Sequence, residues 1–255
     1  MYISQLQNSR LIRRIWLSLR GRFNWIFSRL QGHQASLLII ILIAIHPSLS
    51  VAVTQDENLK QGLQLEAANQ PVLLVMGDSL SAAYGMPVEK GWVHLMQQAL
   101  PNYQVVNASI SGETTSGGKQ RLPALMNQYQ PAILIVELGA NDALRGQNLN
   151  STQRNLQVML DTCLKADYAC QPVLLGIRLP TNYGPAYDAF LQRIYKKIAI
   201  DNAIAFHPFF IERVALDPDF MQADALHPNA LAQPLILETV LSTMKSTKGF
   251  VISSD

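Results

Sequence analysis

Ser79 stands in Gly77-Asp78-Ser79-Leu80, directly after the apolar run Val72 to Met76. At such a strand-to-helix turn a hydroxyl is presented at the edge of a sheet, among outward-pointing backbone N–H groups. To attack a carbonyl near neutral pH it needs a general base, a group that orients that base, and donors for the developing oxyanion. Of the five histidines, His33 and His46 fall in the N-terminal segment, His94 lies inside an amphipathic helical pattern, and His207 and His227 each precede a proline. Only His227 has a carboxylate close in sequence, Asp224 three residues earlier. One turn of chain lets that carboxylate accept from the imidazole Nδ1–H, fixing the tautomer and stabilising the imidazolium. Gly112, in a loop of small residues, allows a backbone N–H to approach a ligand closely. Asn141 follows a buried run and offers a neutral side-chain donor. With the N–H of Ser79 these make three oxyanion donors. Taken singly each feature has an ordinary use: a turn at Gly-Asp-Ser, a surface pair at Asp224 and His227, a tight turn at Gly112, a helix cap at Asn141.

The elements that must position these residues follow from hydrophobic periodicity. Short apolar runs at Val72–Met76, Gln104–Asn107, Ala132–Glu137, Val173–Ile177 and Ala203–Phe206 predict five strands. Between them Trp92, Leu95, Met96 and Ala99 share one helical face, as do Leu156, Met159, Leu160, Cys163 and Leu164. Tyr187, Phe190, Leu191, Ile194, Tyr195 and Ile198 do the same, and a last helix is expected from Asn229 toward Met244. Alternation of this kind predicts an α/β fold, a three-layer α/β/α sandwich around a five-stranded parallel sheet of the flavodoxin-like type. Chemistry in such sheets gathers at the carboxyl ends of the strands, and Ser79, Gly112 and Asn141 follow the first three.

The order and placement of these blocks resemble the SGNH subset of the GDSL hydrolase family, with Ser in GDS, a Gly, Asn in GxND and His in DxxHP. The corresponding residues are Gly77-Asp78-Ser79-Leu80, Gly112, Gly139-Ala140-Asn141-Asp142 and Asp224-Ala225-Leu226-His227-Pro228. Within the family, GDSLSAAYG at 77–85, SISGETTSGG at 109–118, GANDALRG at 139–146, RLPTNYGPAY at 178–187 and HPNALAQP at 227–234 are similar to its bacterial periplasmic acyl-thioesterase, arylesterase and lysophospholipase members. The resemblance implies Ser79 as nucleophile, His227 as base, Asp224 as its orienting acid, and an oxyanion hole of Ser79, Gly112 and Asn141. It implies that the loop from Arg178 to Tyr187, with Leu179, Pro180 and Tyr183, borders the substrate. It implies two-step acyl transfer on small esters, thioesters or lysophospholipids, with no metal or organic cofactor. Two other readings are a carbohydrate O-acetylesterase of the same fold and an inactive, membrane-tethered binding module. The second predicts loss of a catalytic residue type, yet Ser79, Asp224 and His227 are all present.

Composition limits the remaining classes. The 255 residues are 49% hydrophobic and 15% charged, which excludes disorder and collagen-like repetition. The net charge of +2 is unevenly distributed: the first 55 residues carry six arginines and no acid, leaving 14 basic against 18 acidic residues in the remainder, a net of −4. Nucleic acid is therefore not an expected partner of the body, and neither GxGxxG nor GxxxxGK[ST] occurs. The 11-residue apolar run Ala35–Ile45 after the arginines fits a secretory signal, with small residues at Ser48, Ser50 and Ala52 for cleavage. An uncleaved anchor is the competing reading, and the arginine-rich stretch also has the pattern of a basic amphipathic helix lying on a membrane surface. Under either, the arginines place the body across the membrane, periplasmic or secreted in one case and tethered in the other. Cys163 and Cys170 read as an export-compatible disulfide or as two reduced core cysteines. The expected organisation is an N-terminal segment 1–53, a linker 54–70, a hydrolase domain 71–246 and a tail 247–255, acting as a monomer.

Overall fold

The structure, a computed structural model, describes residues 70–252. The expected signal or anchor at 1–53 and almost all of the linker at 54–70 lie outside the described residues. The body contains five strands, β1 (Val72–Gly77), β2 (Gln104–Asn107), β3 (Ile133–Glu137), β4 (Gln171–Leu175) and β5 (Ala205–His207). Its α-helices are α1 (Trp92–Ala99), α2 (Thr115–Tyr129), α3 (Ala140–Leu144), α4 (Leu149–Leu164), α5 (Pro185–Asn202), α6 (Glu212–Ala215) and α7 (Gln233–Met244). All strands pair in parallel in the order β2-β1-β3-β4-β5.

That order reverses direction between β1 and β3, the position at which a doubly wound sheet opens a crevice beyond its strand ends. The register aligns Gly77 with Glu137, so the chains leaving β1 and β3 emerge side by side with Ser79 and Asn141 just past them. Leu73 to Met76 in β1 and Leu134 to Val136 in β3 are fully buried. Continuous burial is what a central parallel strand covered on both faces requires. α1 packs with α7, while α2 packs with α4 and α4 with α5, forming the two helical layers. Trp92, Phe210 and Tyr195 are the largest side chains sealed in this core, where each buried apolar group contributes roughly 1.5–3 kcal/mol.

The five-stranded parallel architecture is as expected, with differences at element ends that have local causes. β4 begins at Gln171, whose N–H donates to Ala132 O at 2.9 Å, two residues before the apolar run that predicted it. β5 begins at Ala205 because α5 runs on: Ala203 is its left-handed C-cap and the Ile204 N–H still bonds Ala199 O. The last helix starts at Gln233 rather than Asn229, since Asn229 is a loop clamp whose side chain donates to Asp219 O and accepts from Leu231 N–H. α2 has no clear apolar stripe in the sequence because Gly117, Gly118 and Pro123 dilute it; it is set by its N-cap, Thr114, which accepts from the Gly117 N–H.

Cys163 and Cys170 form a disulfide joining the end of α4 to the start of β4. Beyond Met244 the described chain stays on the body: Tyr103 packs against Phe250 and accepts from the Val251 N–H. Among the described residues no helix is long and apolar enough to cross a membrane.

Candidate active site

The turn after β1 is built by Asp78. Its carbonyl accepts from the Ser81 and Ala82 N–H groups and its Oδ1 accepts from Leu80 N–H at 3.0 Å, an Asx-type turn that reverses the chain immediately around Ser79. Gly77 is required by close approach, because a Cβ there would lie 2.6 Å from Ser81 Oγ and 2.8 Å from Glu137 Oε2. Ser79 is thus held at the mouth of the sheet, half-buried, one residue from a buried carboxylate.

His227 is carried by a loop closed at its base by the Met221–Pro228 bridge and the bond from Gln222 N–H to His227 O at 2.8 Å. Asp224 uses both oxygens. Oδ1 accepts from the backbone N–H groups of Leu226 and His227, each at 3.0 Å, while Oδ2 lies 2.7 Å from His227 Nδ1. The loop fold and the imidazole orientation are therefore set by one carboxylate. With Nδ1–H donating to Asp224, Nε2 is free to accept, and it lies 2.9 Å from Ser79 Oγ. Burial works against ionisation of Asp224, but the His227 backbone and ring bonds and the Leu226 N–H outweigh it and hold the carboxyl at about 2. Gln222 ties this loop to the serine turn, donating to Tyr84 O at 2.8 Å and to Pro228 O at 3.1 Å. The Tyr84 ring lies 4.5 Å from the His227 ring.

Asn141 stands in the first turn of α3. Its Nδ2 donates to Asp78 Oδ2 at 2.9 Å, and because that carboxylate oxygen can only accept, Asp78 fixes which end of the amide faces the serine turn. One N–H of Nδ2 is used there and the other remains available. Gly112 has φ +79, a conformation that costs glycine little and other residues more. Among the described residues the N–H groups of Ser79 and Gly112 have no hydrogen-bond partner. The chain leaving β3 is pinned by the buried Tyr195 hydroxyl, which donates to Leu138 O at 3.0 Å.

Sequence reasoning did not single out the buried acids behind the serine. Glu137 ends β3 and its Oε2 accepts from Ser81 Oγ at 2.7 Å and from Asp78 N–H at 3.2 Å. Burial, then the neighbouring Asp78 charge, push its carboxyl well above the ordinary range. Asp78 is raised to about 6, chiefly by burial and against the Leu80 N–H, the His227 charge and the Asn141 amide. Asp142, also buried, accepts from Thr115 N–H at 2.9 Å and from the hydroxyls of Thr115 and Thr152. A carboxylate closing an apolar run, as Glu137 does, was the available signal.

Asp78 holds its proton more tightly folded than at its ordinary 3.8, so its contribution to stability is complete below about 4 and is lost as pH rises through about 6. In thermal melts, Asp78→Asn is expected to lose less stability than the unmodified protein between pH 4 and 7. Parallel melting curves across that range would show that Asp78 does not titrate this way.

Leu179 is buried, with its N–H donating to Asp188 Oδ1, while Pro180 and Tyr183 are exposed. The loop is fastened to the α3 region, with Tyr183 OH donating to Leu144 O and Tyr187 OH to Gln147 O. His94 pairs with Gln98 on α1, and His207 Nδ1 accepts from Phe209 N–H, so neither competes for the serine. A groove of about 400 Å³ beside Arg178, Gln192, Arg193, Phe209 and Glu212 contains none of the residues around Ser79.

Comparisons with known proteins identify the family and the fold. The profile of the GDSL-like Lipase/Acylhydrolase family matches residues 75–233. The chain is 46% identical over 187 residues to Esterase TesA of Pseudomonas aeruginosa, covering 72% of this chain and 92% of that protein. It is 44% identical over 177 residues to Thioesterase 1/protease 1/lysophospholipase L1 of Escherichia coli K12, covering 69% and 84% respectively. The crystal structure of TesA superposes with a TM-score of 0.66 at 46% identity, over 68% of this chain and 98% of that one.

Proposed function

Because the chain belongs to the GDSL-like Lipase/Acylhydrolase family, we propose that it is a serine esterase and thioesterase in which Ser79, His227 and Asp224 form the catalytic triad. The observation that carries the reading is the unbroken chain of contacts from Asp224 Oδ2 through His227 to Ser79 Oγ, at 2.7 and 2.9 Å. Ser79 Oγ attacks the acyl carbonyl carbon as its proton passes to His227 Nε2. Asp224 stabilises the imidazolium without taking the proton, since its carboxyl is held at about 2. The carbonyl oxygen, now negative, accepts from the Ser79 and Gly112 N–H groups and the free N–H of Asn141. Such donors act without reorganisation at the moment of reaction. Collapse breaks the bond to the leaving oxygen or sulfur, which takes the proton from His227 and departs. Water then gives a proton to Nε2, attacks the acyl-serine, and releases the acid with Ser79 restored.

The substrates in this reading are small acyl esters, acyl thioesters and lysophospholipids. This range is supported by the relatives named Esterase and Thioesterase 1/protease 1/lysophospholipase L1. The loop containing Pro180 and Tyr183 would border the acyl chain, which its attachment beside Asn141 supports. All roles fall on one chain, consistent with a monomer. Export, with the body beyond the membrane, is supported by the arginine-rich start and by the Cys163–Cys170 disulfide; N-terminal sequencing of the exported protein distinguishes cleavage from anchoring. The test of function is a series of p-nitrophenyl esters and acyl-CoAs of increasing chain length, with an acetylated sugar included. Hydrolysis of the acyl esters and thioesters is expected, and preference for the sugar would replace this reading with a carbohydrate O-acetylesterase.

A further inference from the structure

Arg145 is the residue after α3, and its guanidinium is exposed. No carboxylate of the described residues forms an ion pair with it. Its Nη2 instead donates to the carbonyl of Gly112 at 2.9 Å, across 33 positions of sequence. The backbone N–H of Arg145 returns to Asn141 O at 3.2 Å. A single short helix therefore carries Asn141 at its start and, at its end, the cation that grips the loop of Gly112.

We infer that Arg145 is a positioning residue for the oxyanion hole, locking the Gly112 peptide in register with Asn141. Gly112 occupies φ +79 in an otherwise small-residue loop, and glycine has low-cost alternatives to that conformation. A charge-assisted bond to its carbonyl removes them by fixing the direction of the following peptide, and with it the conformation in which the Gly112 N–H is presented. Asp142 reinforces the same link one step on by accepting from Thr115 N–H at the start of α2, three residues after Gly112. Lysine at this position keeps the charge and can donate to the Gly112 carbonyl, but from a flexible ammonium rather than a preorganised planar group, so it restores part of the effect.

The inference rests on the proposed oxyanion role of Gly112 and is tested separately from the triad. Steady-state hydrolysis of a p-nitrophenyl ester is measured for Arg145→Ala, Arg145→Lys and, as a charge control, Arg154→Ala. Arg154 is an exposed arginine bonded to Ser151 Oγ. Losing one oxyanion donor outright costs on the order of 10²–10³ in kcat, so loosening one is expected to cost about 10-fold. That loss should fall in kcat with KM and melting temperature near those of the unmodified protein, and Arg145→Lys should recover part of it. Arg145→Ala should weaken inhibition by a tetrahedral boronate by the same factor as kcat/KM, while Arg154→Ala changes neither. The inference is overturned if Arg145→Ala keeps kcat within twofold, if the loss appears in KM alone, or if Arg154→Ala matches it. If Ser79→Ala abolishes activity while Arg145→Ala does not change it, only this inference fails; if Ser79→Ala retains activity, the triad fails with it.

Discussion

Ser79→Ala is expected to lower kcat for a p-nitrophenyl ester by about 10⁶ while leaving a slow residual hydrolysis, roughly 10³–10⁴ above the reaction in water, from binding and the oxyanion donors. The basis for so large a loss is the contact with His227. Ser79 Oγ lies 2.9 Å from Nε2 of an imidazole already oriented by a carboxylate, and alanine removes the hydroxyl that, among the described residues, meets this base. Folding should survive. The hydroxyl's bond is to His227 at a half-buried position, and a bond of that kind is worth about 1 kcal/mol. A melting temperature lowered by no more than about 2–4 °C beside the lost activity separates a chemical from a structural effect. Turnover within tenfold of the unmodified protein would remove Ser79 from the nucleophile role.

His227→Ala should be as damaging as Ser79→Ala, and the double variant no worse than either. Serine and histidine act as one unit in proton transfer and attack, so losses at the two positions do not add. Asp224→Ala should cost less, on the order of 10⁴, because the serine and base remain and only their orientation and charge stabilisation are impaired. Removing the His227 ring also removes one of the bonds that hold the Asp224 carboxyl at about 2. The stability Asp224 contributes is present above its ordinary 3.8 and lost as pH falls through about 2. His227→Ala should therefore narrow that acid range, seen as a higher midpoint in acid unfolding. If the double variant is much slower than either single one, serine and histidine act independently and the triad reading fails.

The parts of this site that were readable in sequence are those held by short-range chemistry. Asp224 and His227 are three residues apart and meet within one loop, and Ser79 follows an apolar run that reads as a buried strand. Asn141 and Gly112 were readable as donors because each follows a predicted strand end. What binds them together was not. Glu137 becomes a partner of the serine turn only through the β1–β3 register that aligns it with Gly77, and nothing in the neighbouring letters states that register. The Asp78 bond to Asn141 spans 63 positions and the Arg145 bond to Gly112 spans 33. In the fold, the strands were visible as apolar runs, whereas their ends depended on caps such as Ala203 and clamps such as Asn229 that borrow residues from the adjoining pattern. α2 was obscured because glycine and proline, which lower helix propensity, lie within a helix held by its cap and its packing on α4.

The most direct measurement is covalent trapping. The protein is incubated with a p-nitrophenyl alkylphosphonate, which transfers its phosphonyl group to an activated serine with release of p-nitrophenol, and the site is then mapped by peptide mass spectrometry. One adduct per chain is expected, on the peptide containing Ser79, with matching loss of esterase activity, and Ser79→Ala should take up none. An adduct on another residue with Ser79 unmodified, or full activity after Ser79 is modified, would contradict the assignment of Ser79 as the nucleophile.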